Sequence, residues 1–130
     1  MFASLTHVLI ATILLGLFHV LFAGFLATRS RGGGWNVGNR DGDAPPLSRH
    51  AARAERASRN FLETFAFFAA ALVCAIAIRR DGHTAMLGAH LYFWARVVYL
   101  PVYVIGIPGL RSLLWAVGLV GLLMVTFALV

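Results

Sequence analysis

Between Phe2 and Thr28 the chain carries no Lys, Arg, Asp or Glu. That stretch exceeds the roughly 20 apolar residues that a bilayer crossing needs. It restricts the fold severely, because backbone in hydrocarbon must satisfy its own hydrogen bonds, as a helix or a closed barrel does. Three more apolar stretches follow, at about 58–78, 84–105 and 112–130. With 60% hydrophobic residues and a mean hydropathy of +0.81, the chain is more apolar than an ordinary soluble domain. The pattern predicts an all-α, integral membrane four-helix bundle. Residues 1–130 form one membrane domain, with spans at about 2–28, 58–78, 84–105 and 112–130 and a loop at about 29–47.

The first stretch is not read as a cleaved signal, which carries positive charge ahead of a short apolar run. Here Arg29 and Arg31 come after it. The net charge of +6 comes entirely from arginine, and most of it lies together: Arg29, Arg31, Arg40, Arg49, Arg53, Arg56 and Arg59. A sequence pI near 11.1 invites a nucleic-acid reading. Clustering in one loop and the helix start behind it instead follows the positive-inside rule. The expectation is a multi-pass protein of a bacterial inner membrane, with the first loop cytoplasmic, both termini outside and no nucleic-acid partner. The turn at Arg79, Arg80 and Asp81 falls on the outer side.

Cys74, the single cysteine, reads as a small core residue within an apolar helix. Asp41 and Asp43 read as turn formers rather than metal ligands, and no metal is expected. Ser48 reads as the N-cap of a helix running to Ile78. At 1.5 Å per residue that helix is roughly 46 Å long and projects beyond the hydrocarbon.

Two polar rows stand out. Arg56, Arg59, Asn60 and Glu63 are spaced i, i+3, i+4 and i+7, one helix face running into an apolar span. Tyr92, Arg96, Tyr99 and Tyr103 form a second face, with Pro101 as a kink. Counting from the helix ends places Glu63 roughly 7 Å deep and Arg96 roughly 15 Å deep on the same side. The two are expected to pair, with the arginine snorkelling toward the interface. Each central charge costs about 2.5–3.5 kcal/mol on the insertion scale, so such rows point to function by default. Arg49 and Arg53 read as interfacial anchors. Arg111 and Ser112 are expected to open the last helix, where dipole and side chains favour an anion. Guanidiniums, an amide, a carboxylate and phenols suit a small zwitterion. A thiol held there is pushed toward thiolate, the nucleophilic form.

The segment Arg56-Ala-Ser58-Arg59-Asn60-Phe61-Leu62-Glu63 resembles the Arg-Ala-His-x-Asn-x-x-Glu signature of membrane-associated proteins in eicosanoid and glutathione metabolism (MAPEG), with Ser58 in place of the His. Arg96, Tyr99 and Tyr103 resemble that family's later Arg-x-x-(His/Tyr)-x-x-x-Tyr run, and Arg111-Ser112 its Arg-Ser pair. Trp115 stands near where one branch has a Tyr. The resemblance implies a homotrimer with glutathione, as thiol cosubstrate, bound between subunits near the cytoplasmic face. It assigns glutathione contacts to Arg56, Arg59, Asn60, Glu63, Tyr99, Tyr103, Arg111 and Ser112, with Arg29 joining from the first helix. Arg96, in the same row, is grouped with them. Arg111 is the first choice for thiolate stabiliser, with Ser112 and Tyr103 behind it. The implied activity is that of a transferase or peroxidase acting on a lipophilic electrophile or a lipid hydroperoxide. Two other readings stay open: a non-enzymatic trimeric scaffold or lipid-binding protein, and a small proton-coupled exporter. An exporter of that kind keeps a Glu in the first helix; this one has only His7 and His19, both read as packed or interfacial.

Overall fold

The computed structural model describes residues 3–130, so the expected first residue of the first span, Phe2, lies outside the described residues. Every described element is helical: α1 (Leu5–Arg31), α2 (Gly33–Val37), α3 (Arg49–Ala77), α4 (His83–Ile105) and α5 (Pro108–Phe127). α2 is a single short turn inside the expected loop, and α1 runs three residues past its expected end. Among the described residues three helices are long and apolar enough to cross a membrane, α1, α3 and α5. α4 is not among them, so three of the four spans read from the sequence have the length and composition to cross. The reason α4 falls short is its own polar row: Arg96, the tyrosines and two histidines dilute its apolar length.

Local chemistry sets the element ends. Ser48 caps α3, its hydroxyl accepting from the Ala51 N–H at 3.2 Å. α5 begins at Pro108, whose fixed φ suits the first helical turn. The expected start at 112 is therefore four residues late, and Arg111 and Ser112 lie inside the helix. Ser112 spends its hydroxyl on the Pro108 carbonyl, 3.4 Å away. Gly106 takes the left-handed conformation, φ 96°, that closes α4.

The four long helices run alternately up and down. At one end, Leu5, Val8, Leu72, Ala75, Ala85 and Val125 share a core. At the other, Arg53 donates to the carbonyls of Val104 (3.3 Å) and Ile105 (2.8 Å). Read as an interfacial anchor, Arg53 instead caps the C-terminus of α4, where a cation also suits the helix dipole. That bond ties the start of α3 to the α4–α5 turn. α4 and α5 pack most closely, through glycines. A Cβ added to Gly88 lies 2.7 Å from the Gly121 carbonyl oxygen, so only a bare backbone fits.

Candidate functional site

Arg96 is fully buried at the centre of the helices. Its guanidinium donates to Asn60 Oδ1 at 3.0 Å and to Thr64 Oγ1 at 3.0 Å, both on α3. The faces of Tyr92 and Tyr99 flank it, each 5.3 Å from ring centroid to guanidinium carbon. Tyr92 closes the network through its hydroxyl, 2.9 Å from Thr64 Oγ1, and stacks on Phe68 at 3.8 Å. Gly118 of α5 makes the space: a Cβ there stands 3.4 Å from Arg96 Nε.

The expected Glu63–Arg96 pair does not form. Glu63 is exposed on the outer face of α3, and the one ion pair among the described residues is Arg59 with Glu55 at 3.3 Å. Helical geometry explains the difference. Consecutive residues turn by about 100°, so the row of Arg56, Arg59, Asn60 and Glu63 is a broad arc. Its Asn60 edge, extended by Thr64, turns inward to Arg96. Arg56, Arg59 and Glu63 point outward. Thr64 was not singled out by the sequence reading; its signal was the i, i+4 spacing from Asn60.

A second group forms at the α4–α5 turn. Tyr99, Tyr103, Arg111, Ser112 and Trp115 line an open cleft of about 270 Å³. The Arg111 guanidinium lies over the Tyr103 ring at 4.9 Å, and Tyr103 meets Tyr99 edge-on at 5.4 Å. Tyr99 joins the two groups. Its phenol lies within electrostatic range of Arg96, Arg111, Tyr103 and also Glu63. Neutral donors and an unpaired cation thus converge at one end of the helices, with a carboxylate at the edge. Arg29, at the end of α1, is exposed and contributes no contact to either group. His19, read as packed, is buried against Phe61 with ring centroids 4.7 Å apart. No group of three or more metal-ligating side chains occurs among the described residues.

Three helices fit to cross a membrane, with an arginine buried between helices, define an integral membrane protein. The family model for the MAPEG family matches residues 8–130, nearly the whole chain. The chain belongs to the MAPEG family. No match was found among curated proteins or among solved structures.

Proposed function

We propose that this protein is a homotrimeric, glutathione-dependent membrane transferase or peroxidase. It attacks a hydrophobic electrophile, or reduces a lipid hydroperoxide, with a thiolate held at the Tyr103–Arg111 cleft. The observation that carries the reading is the position of Tyr99, which lines the cleft with Arg111 and Ser112 and lies within electrostatic range of both the Arg111 cation and the Glu63 carboxylate. A tripeptide with one amine, two carboxylates and a thiol has groups for each. Arg111 stabilises the thiolate, the Tyr103 hydroxyl assists, and the Ser112 hydroxyl joins by turning from the Pro108 carbonyl to the ligand. Arg56 and Arg59 receive carboxylates, and Glu63 receives the ammonium.

A second copy of the chain completes the site. The outward face of α3 reads Arg56, Arg59, Glu63, Ala66, Ala70, Cys74 and Ala77, all exposed, so Cys74 lies on this face and not in the core as expected. Charged groups at that depth are costly against lipid, and small residues allow close helix approach. Packing α3 against its copies covers both. The helices then form a four-span bundle with the basic loop cytoplasmic. Arg29 reaches a ligand from a neighbouring subunit, which accounts for its lack of contacts within one chain.

The reading is tested by glutathione-dependent thermal protection of the detergent-purified protein. Wild type is expected to unfold at a higher temperature as glutathione is added, and Arg111→Ala to lose most of that shift. Equal melting with and without glutathione contradicts the proposal. The scaffold reading predicts that Arg111→Ala retains full function and that Glu63→Ala breaks the oligomer.

A further inference from the structure

A cavity of about 690 Å³ lies at the opposite end of the helices, where the α3–α4 turn meets the last turns of α5. Arg79, Arg80 and His83 form its rim, and Val120, Leu123 and Phe127 form one wall. All six are exposed. The first three are cationic or basic, while the other three are large and apolar, with Phe127 at 70% exposure.

Two facts make the rim unusual. The chain concentrates its arginines at the other end, so two adjacent arginines here run against its own bias. Asp81 offsets one of them and leaves the turn positive. Arg79 is also held in the left-handed region, φ 56°, where a glycine fits more cheaply. The turn accepts that conformation and presents both guanidiniums beside the cavity.

We propose that this groove binds one anionic phospholipid. The phosphate sits between Arg79 and Arg80, and an acyl chain runs along the apolar wall of α5. Charge complementarity selects the headgroup, because guanidinium forks match phosphate oxygens bidentately. The adjoining apolar surface selects a lipid over a free phosphate ester. The proposal stands independently of the thiol chemistry at the other end.

The test is retention of lipid by the full-length protein purified in neutral detergent, then exchanged with equal amounts of phosphatidylglycerol and phosphatidylcholine. Bound lipid per chain is read by native mass spectrometry. Wild type is expected to retain one phosphatidylglycerol per chain in preference to phosphatidylcholine. Arg79→Gln with Arg80→Gln should weaken that preference by about five-fold per arginine. Leu123→Trp fills the wall, keeps the charges and sits at an exposed position, so it should fold and also lose the lipid. Arg40→Gln, in the basic loop at the other end, should retain it. The proposal is overturned if the double variant or Leu123→Trp keeps the wild-type preference. It is equally overturned if inorganic phosphate displaces the lipid at matching concentration.

Discussion

Arg96 is a full positive charge without exposure, and both its hydrogen-bond partners are neutral. Such a group is held by geometry rather than by a counter-ion, since breaking the bonds leaves an unsatisfied buried cation. Thr64→Val removes the hydroxyl that accepts from Arg96 and bonds to Tyr92, at nearly constant volume. It should destabilise the protein by about 1–3 kcal/mol, seen as a lower melting temperature in detergent. At the cleft, Arg111 stacks on Tyr103 and keeps its donors free for a ligand. If the proposed glutathione-dependent reaction is the activity, Arg111→Ala should lower its kcat by about 100-fold, the usual effect of losing one preorganised donor. Although it was expected to snorkel toward the interface rather than to be enclosed, an arginine deep in α4 was legible in the sequence, because its row is one helix face. Its partner was not. Asn60 and Glu63 share a spacing pattern, and only the rotation of α3 in the assembled fold decides which oxygen faces Arg96.

The elements are joined by a few backbone-level contacts. Ser48 was legible as a cap because a serine before an alanine- and arginine-rich helix has one clear use. Ser48→Ala should cost about 1 kcal/mol, measured by the same melt. The glycine crossing of α4 and α5 was not legible, since a glycine in an apolar helix gives no sign of its facing partner. Gly88→Ala pushes a methyl toward the Gly121 carbonyl at 2.7 Å and Met124 Cβ at 2.7 Å. A loss of about 1–3 kcal/mol is expected from such overpacking, together with disorder in the neighbouring Tyr92–Arg96 turn. The cap that Arg53 places on α4 was hidden for a similar reason. Sequence separation says nothing about which helix end a long side chain reaches.

For the whole molecule, the apolar stretches by themselves imply a helical membrane protein, and the family match over residues 8–130 agrees. α4 departs from that pattern because it carries the polar row that the other helices enclose. The proposed trimer, whose number of chains comes from the family resemblance, packs the exposed charged and small-residue face of α3 against its copies. Light scattering of the detergent-purified protein, corrected for detergent, should give three chains per particle. Ala70→Trp should reduce that number while leaving helical circular dichroism unchanged. The central claim is that positive charge at the α4–α5 turn holds glutathione as a thiolate. The most direct measurement is the ultraviolet thiolate band of glutathione mixed with the purified protein near neutral pH. The account predicts a band that saturates with glutathione and disappears in Arg111→Ala. A wild-type protein that binds glutathione without raising any thiolate band, or that raises it equally in Arg111→Ala, contradicts the account.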